Sequence, residues 1–148
     1  MRIDELFQIA KVDKAGPLPW RMKPIPDNCS GVSGVYVIAR AGNEPVPTVD
    51  WDAPLRQRWI ENEEIIYIGR ATNLRRRILQ FYRHKLGDKS PHKGGEDLLR
   101  LTCPLQVYWG VTSNFKAVEH QMIEAFKSRA HEMMPFANRV RGTKPVVS

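Results

Sequence analysis

EIIYIGRATNLRRRI, residues 64–78, decides the fold. Its first half, Glu64 to Gly69, is rich in Ile and Tyr and predicts a β-strand ending on glycine. Its second half opens a helix predicted over residues 73–86. There Leu74, Ile78, Leu79, Phe81, Tyr82 and Leu86 share one broad arc at helical spacing and must face a core. Arg77 and His84 lie together on the flank of that arc.

Working outward, GVYVIAR at Gly34–Arg40 predicts a second strand and Leu105–Val111 a third. Residues 2–12 predict a short helix with Ile3, Leu6, Phe7 and Ile9 or Ala10 inward. Gly94 and Gly95 precede a short helix running through Leu101, and Phe115 to about Met133 forms the longest helix. AGPLPWRMKPIPDNCSG, residues 15–31, is too rich in Pro and Gly to be regular and is expected to wrap the outside. Residues 41–63 form a proline-bearing insertion with a short helix near Leu55–Trp59. The expectation is one α+β domain over 1–148, with its core at about 32–139 and an N-terminal extension at 1–31. A small three-stranded, mostly antiparallel sheet would be flanked by helices.

With 148 residues, 42% hydrophobic and 26% charged, the chain suits a single globular domain. No apolar stretch approaches the roughly 18 residues of a membrane span, and MRIDELFQIAK lacks the apolar core of a signal peptide. A soluble cytoplasmic protein with no membrane partner is expected. Cys29 and Cys103 stand apart with no CxxC, which excludes a zinc knuckle and predicts reduced thiols.

The formal charge of +7 is concentrated: residues 70–100 hold nine Lys or Arg against three acids. This is the footprint of a nucleic-acid-binding surface, and equally of a solvated basic helix. NLRRR places three arginines in a first helical turn, where the helix dipole disfavours cations. A phosphate held by helix-start N–H groups and guanidiniums would resolve the conflict. In the longest helix, Glu119 projects from the middle of an arc of Phe115, Val118, Met122, Ile123, Ala125, Phe126 and Ala130. A carboxylate there needs a partner: an arginine, with that trio among the candidates, or a metal or catalytic role.

Taken in order, these residues resemble the GIY-YIG nucleases. GVY at Gly34–Tyr36 is similar to the first half of the signature, with Val for Ile, and YIG at Tyr67–Gly69 matches the second. Arg77 stands at the arginine that follows YIG, Glu119 at the metal-binding glutamate, and PFAN ends on Asn138 where the family has its closing asparagine. The likeness covers about Val32 to Arg139, and RRRILQFY is most similar to the incision domain of bacterial nucleotide excision repair and to small stand-alone members. Two departures stand out: the connection 41–63 is much longer than usual, and Phe81 occupies the place of a common histidine, with His84 a turn further on and His92 only a loose match.

The resemblance implies a metal-dependent endonuclease acting on nucleic acid, with DNA expected ahead of RNA. Tyr36 is then the general base, Tyr67 orients water or phosphate, Arg77 clamps the phosphate and Glu119 holds Mg²⁺ or Mn²⁺. Arg70, Arg75, Arg76, Arg83, His84, Lys93 and Asn138 are the expected nucleic-acid contacts. Tyr36 needs a nearby cation to favour its phenolate, since an unperturbed phenol ionises near pH 10. The alternative is a catalytically silent nucleic-acid-binding module, or one that docks a protein partner through the insertion 41–63.

Overall fold

In the computed structural model, residues 1–21, 25–83 and 97–138 are described. The chain order is α1 (Ile3–Ala10), β1 (Ala15–Pro19), β2 (Gly34–Arg40), α2 (Ala53–Arg58), β3 (Ile65–Ala71), α3 (Leu74–Arg83), β4 (Leu105–Val111) and α4 (Phe115–Arg129). A short 3₁₀ turn covers Asp27–Cys29, and a helical turn lies at 97–99.

The class is α+β, and the sheet is antiparallel with strand order β1-β4-β2-β3. It has four strands, not the expected three. The addition is β1, drawn from the stretch expected to be irregular. Its Pro17 and Pro19 are tolerated because β1 lies at the sheet edge, where only one side needs a ladder partner. The residues from Ala15 to Pro19 thus add to the sheet instead of wrapping it.

Every residue of β2 is buried, as a central strand covered on both faces requires. Val35, Val37 and Ala39 share one core with Ile68, Tyr108, Val118, Met122 and Phe126, closed by Ile3, Leu6, Phe7 and Ala10 of α1. Ile9 is exposed, so Ala10 completes the inward face of α1. Tyr36 and Ile38 face a second core containing Leu74, Ile78 and Phe81 of α3 and Trp109 of β4. Trp20, just beyond β1, packs edge-on against Phe81 and Tyr82. Residues 3–20 are therefore integral to both cores, and the boundary expected near residue 32 does not separate an appendage.

The insertion is likewise built in. Asp52 caps α2 by accepting from the Leu55 N–H, and Trp51, Trp59 and Phe136 form a ring cluster with centroids 5.2–5.6 Å apart. Arg58 forks onto the fully buried Asp97 at 2.8 and 3.2 Å and donates to the Phe136 carbonyl at 2.7 Å. Buried Arg40 lies over the Trp59 ring and donates to the Glu44 carbonyl. No helix among the described residues is long and apolar enough to cross a membrane.

Candidate active site

Tyr36 lies opposite Gly69 in the β2–β3 ladder, and Ile38 opposite Tyr67, so both tyrosines project from the same sheet face. A Cβ on Gly69 would fall 2.6 Å from Tyr36 Cζ, 2.7 Å from its hydroxyl and 2.7 Å from Tyr67 Cε2. Glycine is needed there for close approach, not for an unusual φ. At the other end of β2, a Cβ on Gly34 would meet the Gly110 carbonyl oxygen at 2.2 Å and Leu74 Cδ1 at 2.8 Å. The glycines of GVY and YIG thus let α3 and the two tyrosines close on the sheet.

The rings of Tyr36 and Tyr67 stand 5.8 Å apart, each edge-on to Phe81. Tyr36 is fully buried and Tyr67 partly so. Arg77 reaches in from α3, its Nε donating to the Tyr36 hydroxyl at 3.4 Å and its guanidinium 5.2 Å from the Phe81 ring. Burial, the dominant effect, pushes the Tyr36 phenol well above its ordinary range, and the Tyr67 charge adds to it. Arg77 opposes both without prevailing. Tyr67 is also raised by burial, while Arg77 and a hydrogen bond from Tyr36 work in its favour as a phenolate. The nearby arginine that Tyr36 was expected to need is present, yet desolvation outweighs it.

Arg70 follows Gly69 and therefore points to the opposite face, the one covered by α4. Its Nη1 donates to Glu119 Oε1 at 2.8 Å, with the arginine side chain 46% exposed and the glutamate 17%. The partner of Glu119 is thus Arg70 and not one of the three consecutive arginines. Burial raises the Glu119 carboxyl above its usual range, and Arg70, His120 and Arg77 pull it back in part. Alternation along β3 carries the signal for this pair: Ile68 and Arg70 share the face that meets the longest helix.

The first turn of α3 is capped by its own chain. Leu74 N–H donates to the Val32 carbonyl at 2.8 Å, Arg76 N–H to Asn73 Oδ1 at 3.1 Å and Arg77 N–H to the Asn73 carbonyl at 3.0 Å. The expected anion site at helix-start amides is therefore largely filled, and any phosphate there must be met by guanidiniums. Arg75 turns to the N-terminal region, donating to the Ile25 carbonyl at 3.3 Å with Asp27 at 3.2 Å. Arg76 and Arg83 are exposed.

The Asn138 side-chain amide pairs with the backbone of β3. Its Oδ1 accepts from Ile68 N–H at 2.9 Å and its Nδ2 donates to the Ile68 carbonyl at 2.8 Å, while Ala137 N–H donates to the Ile66 carbonyl at 2.9 Å. PFAN thereby lines the outer edge of β3. His84, Lys93 and His92 lie outside the described residues. A cavity of about 570 Å³, lined by Leu55, Arg58, Arg100, Met133, Pro135 and Asn138, holds neither tyrosine, nor Arg77, nor Glu119. Its volume alone gives it no chemistry. The fold thus gathers Tyr36, Tyr67 and Arg77 on one side of the β3 end, and Arg70 with Glu119 on the other.

No protein-family model, curated protein or solved structure matches the chain.

Proposed function

We propose that the chain is a GIY-YIG-type endonuclease that hydrolyses phosphodiester bonds in nucleic acid, DNA in preference to RNA. The observation that carries this reading is the convergence of Tyr36, Tyr67 and Arg77 beside the Arg70–Glu119 pair, from four separate elements. Such a grouping of phenols, guanidiniums and a half-buried carboxylate suits phosphoryl chemistry, where charge must be neutralised and a water positioned.

The residues fit one hard divalent cation only in a sparse form. Among the described residues no group of three or more His, Cys, Asp or Glu comes together, and Glu119 supplies a single carboxylate. Mg²⁺ or Mn²⁺ bound through one carboxylate, waters and substrate phosphate oxygens matches this donor set. When bound, the cation supplies Lewis-acid stabilisation of the phosphate and leaving oxygen.

Arg77 clamps nonbridging oxygens, for which its fork is suited. The tyrosine pair serves as the base once one phenol has lost its proton, a state that burial opposes and that Arg77 and a bound cation favour. Tyr67 is the less buried of the two tyrosines, so a proton taken from water enters the pair at the Tyr67 phenolate. Asn138 holds Ile68, and with it the strand that carries Tyr67, Gly69 and Arg70. The insertion 41–63 is committed to the core through Leu55, Trp51 and Trp59, which weakens the docking alternative.

The test is cleavage of labelled DNA and RNA duplexes, single strands and branched structures, with Mg²⁺ and with EDTA. Metal-dependent cleavage lowered about 10²- to 10⁴-fold by Tyr67→Phe supports the reading. A folded protein that binds these substrates and cleaves none of them refutes it in favour of a silent binding module.

A further inference from the structure

We infer that Arg70 is a latch on Glu119, opened by a nucleic-acid phosphate, so that the carboxylate takes up a divalent cation only in the nucleic-acid complex. The inference rests on the proposed nuclease reading and adds an order of assembly to it.

Glu119 is 17% exposed and its Oε1 is held by Arg70 Nη1 at 2.8 Å. Arg77 and His120 also act on this carboxylate electrostatically. A dication approaching the free protein therefore meets a carboxylate already neutralised by Arg70. Displacing Arg70 without replacement would leave Glu119 half-buried and without its nearest counter-charge, a costly state.

Arg70 differs from its partner in being 46% exposed, which leaves its guanidinium within reach of a ligand from solvent. A phosphodiester has the same charge as the carboxylate and accepts the same forked hydrogen bonds. Transfer of Arg70 from Glu119 to phosphate, with entry of a cation at Glu119, keeps every ion partnered throughout. The phosphate also supplies oxygens that the protein lacks, since a lone carboxylate is a weak site for Mg²⁺. Cation and nucleic acid thus bind cooperatively, each raising the affinity for the other by the same factor.

The experiment is Mn²⁺ uptake, followed by loss of the free-ion electron paramagnetic resonance signal. It is run on wild type, Arg70→Ala and Glu119→Gln, each alone and with a short DNA duplex. Glu119→Gln with duplex sets the baseline for Mn²⁺ held by DNA itself. Expected are no uptake by free wild type beyond the Glu119→Gln level, and uptake by free Arg70→Ala at least about tenfold tighter. With duplex, wild type should gain one Mn²⁺ over baseline. Arg70→Gln repeats the comparison if Arg70→Ala does not fold. Equal Mn²⁺ affinity in free wild type and the Arg70 variant overturns the latch. Uptake by the free variant without any duplex-induced uptake in wild type overturns the phosphate trigger. Failure of the nuclease reading shows separately, as absent cleavage, while the nucleic-acid-free comparison still decides the latch.

Discussion

Tyr36 fills the space that a side chain at Gly69 would occupy: the missing Cβ lies 2.6 Å from Tyr36 Cζ. The ring end cannot swing away, because Tyr36 is fully buried between Tyr67 and Phe81. Gly69→Ala should cost about 1–3 kcal/mol, as overpacking does, and should displace the Tyr36 hydroxyl from Arg77. Gly42, with nothing within 4 Å of an added Cβ, is the control and should be near neutral as Ala. Denaturant midpoints of the two variants check this.

Alkaline stability should report the buried phenols. All four tyrosines are raised, each chiefly by burial, and Tyr36 most of all. Unfolded phenols ionise near pH 10 while the folded ones keep their protons, so the native state binds more protons above that pH. Stability is fully present below about pH 10 and falls as pH rises further. Tyr36→Phe removes a large contributor, so its urea midpoint should drop less than that of wild type between pH 8 and 11. An equal drop would show that Tyr36 ionises freely in the folded chain.

Glu119 should cost stability at neutral pH. Its carboxyl is raised by burial despite Arg70, so folding favours the protonated form, and that contribution is lost as pH rises above the ordinary carboxylate range. Glu119→Gln is expected to unfold at the same or a higher denaturant concentration at pH 7, with the gap from wild type narrowing toward pH 4. The same variant should lose metal-dependent cleavage, a trade of stability for function.

The consecutive arginines should separate into three behaviours. Arg77→Ala should lower turnover strongly with a modest loss of affinity, because it touches Tyr36. Arg75→Ala should chiefly lower stability, through its contacts with Ile25 and Asp27. Exposed Arg76 should affect only binding, flattening the salt dependence by about one unit of slope per lost phosphate contact. Equal effects on turnover at all three positions would mark the stretch as a plain basic surface.

The sheet was legible where burial is two-sided or alternation strong. Gly34–Arg40 and Leu105–Val111 have the bounds their Val, Ile and aromatic content predicts, and α3 turns Leu74, Ile78 and Phe81 inward as the arc requires. What stayed hidden depends on contacts distant in sequence. The strand at Ala15–Pro19 exists because β4 offers an edge, which overrides the local message of Gly and Pro. Arg58 meets Asp97 across 39 residues, and no local pattern announces that pairing. At the site, Glu119 was conspicuous from its apolar setting. In the sequence Arg70 is one basic residue among many, because its special position comes from the strand face it occupies and not from its charge.

The two borders of the sheet bear on how this molecule behaves in a crowd of its own copies. An open strand border invites a second chain to extend the ladder, and such additions seed aggregates. On one side, two of the five residues of β1 are prolines and lack the N–H a newcomer would need. On the other, Ala137 and Asn138 already occupy the outward carbonyl of Ile66 and both backbone groups of Ile68. Asn138→Ala uncovers that second border and leaves the Ile68 groups without their partner. Besides a destabilisation of about 1–3 kcal/mol, it should make light scattering rise with protein concentration under conditions where wild type stays monodisperse. Asn138 thus covers backbone groups at a sheet border that no neighbouring strand occupies.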